Sequence, residues 1–168
     1  MSSVEQHRSE APVAIRGAVV TISDTRTLET DTGGRTIEDR LTGAGHQVVE
    51  RHLIPDDPDR IRSLLQRLHE DGRVDAALLT GGTGITSRDQ TYETVCSLLS
   101  KTIPGYGELF RSLSYQEIGA AAMLSRAVGG LMGRMIVLTM PGSSAAVRLA
   151  MDKVIMPELR HLVREARR

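Results

Sequence analysis

The chain has no tryptophan, one phenylalanine and three tyrosines among its 168 residues. So few rings argue against a nucleic-acid surface that works by stacking bases on aromatic side chains. A single cysteine, Cys96, excludes an intrachain disulfide, and a cytoplasmic location is the simplest expectation. Cys96 itself reads as a small apolar residue on a helix, in "ETVCSLLS", rather than as a reactive thiol. A surplus of either charge is also missing. Lys+Arg and Asp+Glu both count 21, which gives no net charge and speaks against a general nucleic-acid binder. No apolar run approaches the roughly 20 residues of a membrane span, and "MSSVEQHRSEAPVAIRG" has no apolar signal-peptide core. Residues 1–14 read as a flexible polar arm, and 15–168 as a single domain of ordinary hydrophobic content.

What is present is an alternation of strand and helix signals. "GAVVTIS" (17–23) is a short β-branched run suited to a strand buried on both faces. A polar loop (24–34) precedes a helical pattern, "RTIEDRLTGAG", with Ile37 and Leu41 four apart. "HQVVERHLI" (46–54) reads as a second strand. "PDRIRSLLQRLHED" (58–71) places Ile61, Leu64, Leu65 and Leu68 on one stripe and stops at Gly72. "VDAALLT" (74–80) is a third strand. "TYETVCSLLS" and "GYGELFRSLSYQEIG" are helical in pattern, and "AVGGLMGRMIVLTM" (127–140) reads as a hairpin-like pair ending in a buried strand. The remainder, from "SSAAVRLAMDKVI" through "PELRHLVREA", keeps a helical register. The pattern predicts an α/β fold with a mainly parallel sheet and helices on both faces.

In such a sheet, ligands bind beyond the carboxyl ends of the strands. Four strand exits carry small, glycine or acidic residues: "TISDT", "LIPDD", "LLTGGTG" and "TMPGSS". In Gly81-Gly82-Thr83-Gly84 the bare backbone suits close approach of N–H groups to an anion. The stretch fits neither the P-loop nor the dinucleotide fingerprint, since Ser87 stands where the latter needs its third glycine. A tight turn alone would also account for it. Asp89 just beyond it reads either as an acid stabilising a helix N-terminus, with Thr91 as N-cap, or as a hard oxygen ligand for Mg²⁺ beside phosphates. At "PDDPD", turn and cap chemistry explains Asp57 and Asp59, and leaves Asp56, nearest the strand end, as the catalytic candidate. Two carboxylates without a histidine cluster favour Mg²⁺ over zinc. Pro141-Gly142-Ser143-Ser144 opens a helix, either as an ordinary cap or as a ligand contact.

Ser23-Asp24, "LIPDD", "LLTGGTGITSRDQTYETV", "PGYGELFRSLS", "AMLSRAVGG" and "MPGSSAA" follow one another in that order. Together they resemble the MoaB/MogA family, the molybdopterin adenylyltransferases of molybdenum cofactor biosynthesis, over about residues 15–163. "FRSLSYQEIG…LSRAVGG" looks closest to the MoaB branch. The resemblance implies a three-layer α/β sandwich that assembles as a homotrimer or a dimer of trimers. It implies attack of the molybdopterin terminal phosphate on ATP, with Mg²⁺ as cofactor and pyrophosphate as product. It makes the molybdate-insertion protein of the pathway a further partner. The family's two essential acids map onto Asp56 and Asp89, which are also the metal candidates. Its nucleotide and pterin contacts map onto Ser23, Asp24, Thr80, Gly81, Gly82, Thr83, Gly84, Arg88, Ser125, Arg126, Pro141, Gly142, Ser143 and Ser144. Where the family often has Thr-Pro-Glu, this chain has Thr91-Tyr92-Glu93; Arg88, absent from some MoaB-branch members, is kept and favours activity. Two other readings stay open: a non-catalytic pterin-binding or scaffold protein of the pathway, and a related domain acting on nucleotide phosphates, as in competence-damage-type proteins.

Overall fold

A computed structural model describes residues 11–168. Most of the polar arm expected over 1–14 lies outside the described residues. Of its last four residues, Ala11 is buried, and Arg160 donates to the carbonyls of Pro12 and Ala11 at 2.6 and 3.3 Å.

The strands are β1 (Arg16–Ile22), β2 (Gln47–Ile54), β3 (Ala76–Thr80), β4 (Lys101–Thr102), β5 (Gly129–Met132) and β6 (Met135–Met140). They form one sheet in the order β2-β1-β3-β6-β5-β4. β2, β1, β3 and β6 run parallel, and β5 is antiparallel to both β6 and β4. The helices are α1 (Thr32–Gly43), α2 (Pro58–Asp71), α3 (Thr91–Leu98) and α4 (Pro104–Ile118). A 3₁₀ segment, Gly119–Leu124, follows α4. The chain ends in α5 (Ser144–Leu149), a π turn (Ala150–Ile155) and α6 (Met156–Arg167).

The side-chain period of two in the strands divides the core. Val19, Ala76, Leu78, Ile136, Leu138 and Met140 face one layer, where Ile37, Leu41, Phe110, Val147, Leu159 and Val163 meet them. Ala18, Val20, Ile22, Ala77, Leu79 and Val137 face the other, against Ile61, Leu65, Leu68 and Val95. The expected helices on both faces of a mainly parallel sheet are present. α2 has the local signals read from its sequence. Asp57 accepts from the N–H groups of Asp59 and Arg60 at 3.0 and 2.9 Å, Pro58 opens the helix, and Gly72 ends it in the left-handed region.

Strand ends differ from the sequence reading by one or two residues, β3 starting at Ala76 rather than 74, and two helix starts differ for a physical reason. α1 begins at Thr32, so the loop expected to run to residue 34 is shorter. The cause is Asp31, whose buried carboxylate accepts from the Gly34 N–H at 2.9 Å. A Cβ on Gly34 would lie 2.2 Å from Asp31 Oδ2 and 2.5 Å from Thr21 Oγ1, so glycine is needed for this close cap. The N-cap of α3 is Gln90, whose side chain makes no capping bond, and Thr91 is its buried first residue. The two-residue strand β4, both residues exposed, had no signal in the sequence; it exists through its pairing with β5.

Candidate functional site

The parallel register brings the four strand exits to one edge. Ile22 pairs with Ile54, Thr21 with Thr80, and Thr80 with Met140. Bonds just past the strands continue this alignment, from Ser23 N to Ile54 O at 2.9 Å and from Gly81 N to Met140 O at 3.0 Å. A cleft of about 500 Å³ opens above them. Its polar side is formed by Ser23, Thr80 to Gly84, Asp89, and Pro141 to Ser143. Its apolar wall comes from Phe110 of α4 and from Ala122 and Leu124 of the 3₁₀ segment.

The glycine loop is shaped first by contacts within the protein. Gly81 has φ +105°, and a Cβ there would lie 2.1 Å from the Ile22 carbonyl oxygen. Gly82 has φ +65°, and its Cβ would lie 2.0 Å from Thr91 Oγ1 and 2.4 Å from Asp56 Oδ2. The loop thus presses against the end of β1, the Asp56 carboxylate and the start of α3, and turns its other side to the cleft.

Asp56 is 7% exposed. Both its oxygens lie 3.3 Å from the Gln90 N–H, and the Thr91 hydroxyl donates to Oδ1 at 3.4 Å. Burial pushes its carboxyl above the ordinary value. The Gln90 N–H acts against that shift, and repulsion from Asp89 and Asp24 adds to it. Asp24 accepts both Arg88 Nη2 and Nε, at 2.5 and 3.2 Å, and the Asp56 N–H at 3.2 Å. The Arg88 guanidinium holds the Asp24 carboxyl below its ordinary range. Asp89 accepts from the N–H and hydroxyl of Thr86, at 2.9 and 2.6 Å, which folds the loop back on itself. Three carboxylates from three chain segments therefore stand around one loop.

The other expected residues divide by position. Ser23 Oγ accepts from the Arg26 N–H at 3.1 Å, and Thr80 Oγ1 donates to Pro141 O at 3.1 Å. Ser143 caps α5 by accepting from Ala146 N, and Ser144 Oγ lies 3.2 Å from Thr32 Oγ1. Ser125 lines the cleft and also a neighbouring cavity of about 480 Å³. Arg126 belongs to that second cavity and grips the glycine loop from behind. It donates to the carbonyls of Gly84 and Asp89 at 2.8 and 3.2 Å, pairs with Glu93, and lies 5.0 Å over the Tyr92 ring. Arg26, which lines the cleft, was missed in the sequence. The available signal was a cation two residues beyond Asp24 at a strand exit.

Among the described residues no three His, Cys, Asp or Glu side chains form a ready metal cage. Hard carboxylate oxygens on adjoining segments are nonetheless the donors that suit Mg²⁺, which keeps several waters and takes one or two carboxylates plus phosphates. No described helix is long and apolar enough to cross a membrane.

Residues 18–161 match the family described as "Probable molybdopterin binding domain". A "Molybdenum cofactor biosynthesis protein B" from Bacillus cereus is 50% identical over 167 residues, covering 99% of each chain. A crystal structure of a protein of that name superposes with a TM-score of 0.90 at 51% identity, over 94% of this chain and 99% of the other. A tungsten cofactor synthesizing protein MoaB from Pyrococcus furiosus gives 0.82 at 33% identity, over 94% and 100%. With half its residues shared along almost its whole length, and with the sheet and helices in the same arrangement, the chain belongs to the molybdopterin-binding-domain family that includes the MoaB proteins.

Proposed function

We propose that this protein acts in molybdenum cofactor biosynthesis, binding molybdopterin and adenylylating its terminal phosphate with MgATP. The observation that carries the reading is the meeting of the Gly81–Gly84 loop with Asp56 and Asp89 at one edge of the sheet, beside a cleft with one polar and one apolar side. The apolar wall suits a flat heterocycle and the polar side suits phosphates.

In the proposed step an ionised oxygen of the pterin's terminal phosphate attacks the α-phosphorus of ATP. A new P–O bond forms, the bond from that phosphorus to the oxygen bridging to the β-phosphate breaks, and the electron pair leaves with pyrophosphate. No base is required, because the nucleophile is already ionised at neutral pH. Catalysis then consists of holding two anions together in line and screening their charge. Asp89, in the cleft wall, is the residue that would hold Mg²⁺, which supplies charge neutralisation on the phosphates, and Asp56, packed behind the glycine loop, would act beside it as the second carboxylate. Backbone N–H groups of the glycine loop orient the phosphates, and Thr86 and Gln90 keep the two carboxylates in place. The same reading expects a homotrimer or dimer of trimers, which sedimentation analysis checks.

Purified protein mixed with molybdopterin, MgATP and pyrophosphatase tests the activity, with adenylylated pterin measured by chromatography. Tight pterin binding without product, under conditions where an active relative succeeds, would leave a binding or scaffold role and remove the enzymatic one.

A further inference from the structure

The three arginines around the glycine loop differ in what already occupies them. Arg88 closes on Asp24 through two nitrogens. Arg126 is taken up by two loop carbonyls, by Glu93 and by the Tyr92 ring, in the neighbouring cavity. Arg26 stands in the wall of the cleft itself, with its side chain 30% exposed. Its guanidinium makes one hydrogen bond, from Nη2 to the Gly142 carbonyl at 3.0 Å. Its nearest acid is Asp31, with Nη1 4.0 Å from Oδ1. That carboxylate is answered more closely by Thr21 Oγ1 at 2.8 Å, Gly34 N at 2.9 Å and Arg51 Nη2 at 3.0 Å. Among the described residues, most of the five N–H donors of Arg26 therefore have no partner and can meet a ligand.

The position is also fixed. The Arg26 N–H is held by Ser23 Oγ, and a Cβ on Gly33 would lie 3.4 Å from Arg26 Nη1, so the guanidinium rests on bare backbone. Among the described residues that line the cleft, Arg26 is the one cation and Asp89 the one anion. An extended polyanion can thus put one oxyanion on Arg26 and bring its accompanying cation to the acids.

We propose that Arg26 is the phosphate-binding cation of the cleft, the residue that takes a phosphate oxyanion by charge-assisted hydrogen bonds. The identity of that phosphate as part of ATP rests on the adenylyl-transfer reading above; the anion site on Arg26 does not.

The test measures binding of inorganic tripolyphosphate, MgATP and adenosine to the full-length chain by calorimetry. Arg26→Gln should weaken tripolyphosphate and MgATP by about 10- to 100-fold, the range expected for lost charge-assisted hydrogen bonds, and leave adenosine unchanged. Arg26→Lys should retain more of the affinity than Arg26→Gln. On the wild-type chain, tripolyphosphate should protect Arg26 from phenylglyoxal, read by peptide mass spectrometry; this readout needs no folded variant. Absent tripolyphosphate binding, unchanged affinity in Arg26→Gln, an equal loss for adenosine, or no protection of Arg26 would each overturn the proposal. Arg26-dependent tripolyphosphate binding without adenylylated pterin would sink the enzymatic reading alone. Turnover with unaltered tripolyphosphate affinity in Arg26→Gln would sink the Arg26 assignment alone.

Discussion

The carboxylate of Asp56 caps a helix that it is far from in sequence, with the Gln90 N–H 3.3 Å from each of its oxygens. α3 gets no cap from its own Gln90 side chain, so the exit of β2 supplies one. One group thus anchors the start of α3 and stands among the acids of the candidate site.

This double position gives a prediction with opposite effects on stability and activity. The Asp56 carboxyl is raised by burial, so its ionised form opposes folding. Its stabilising contribution is complete below the unfolded carboxylate value of about 3.9 and is lost as pH rises through the raised folded value. Asp56→Asn keeps an oxygen for the Gln90 N–H and removes the charge. It should therefore melt no lower than wild type at pH 7, show a shrinking advantage towards pH 3, and lose turnover. Thermal melts across pH and the adenylylation assay check it; a clear loss of melting temperature at pH 7 would refute the electrostatic argument.

Asp89→Asn should leave the fold intact. The amide oxygen can still accept from Thr86, and the loop bond it serves is local. Adenylylation should fall by about 100-fold or more, on the scale of one lost electrostatic group at a phosphoryl site. Turnover within a few fold of wild type would show that Asp89 is only a loop-folding residue.

Gly81→Ala and Gly43→Ala should have opposite signs. At residue 81 the backbone is left-handed and the new methyl would meet the Ile22 carbonyl, so a loss of at least about 2 kcal/mol is expected. At residue 43, in α1, nothing lies within 4 Å of the new Cβ, and a gain of about 0.5 to 1 kcal/mol is expected. Urea midpoints measure both.

Asp31 should govern part of the acid limit. Burial pushes its carboxyl up, but the Gly34 N–H, the Thr21 hydroxyl and Arg51 together outweigh this and hold it below the ordinary value. A lowered carboxylate contributes stability that is present above about 3.9 and is lost as pH falls through the folded value. Asp31→Asn should cost about 3 kcal/mol at pH 7 and flatten the decline between pH 4 and 2. Urea unfolding over that range would show parallel curves if Asp31 carried none of it.

Much of the frame was readable locally. β1, β2, the core stripe of α2 with Asp57 and Gly72 at its ends, and the β5–β6 pair all follow from period and capping chemistry within a few residues. The four exits, the glycine loop, and Asp56 and Asp89 as a set were also visible, because small and acidic residues at strand ends are a local pattern. The start of α1 was not, since two glycines disfavour a helix unless Asp31 is buried against them. Neither was Arg26: its place two residues past Asp24 at a strand exit was a signal, but nothing local in a polar loop says where a charge will point.

The sequence alone determined most of the strands and helices, since those depend on backbone propensity and on the period of apolar residues; β4 and the first turn of α1, which rest on contacts with other segments, are the exceptions. Sheet order and parallel register decided the rest. They placed Asp56 against Gln90, 34 positions away, and Arg88 on Asp24, 64 positions away. They turned Arg126 behind the loop and left Arg26 in the cleft. Which cation meets solvent, and which carboxylate is desolvated, is a matter of contacts between distant segments, and those exist only once the sheet has closed the layers around them.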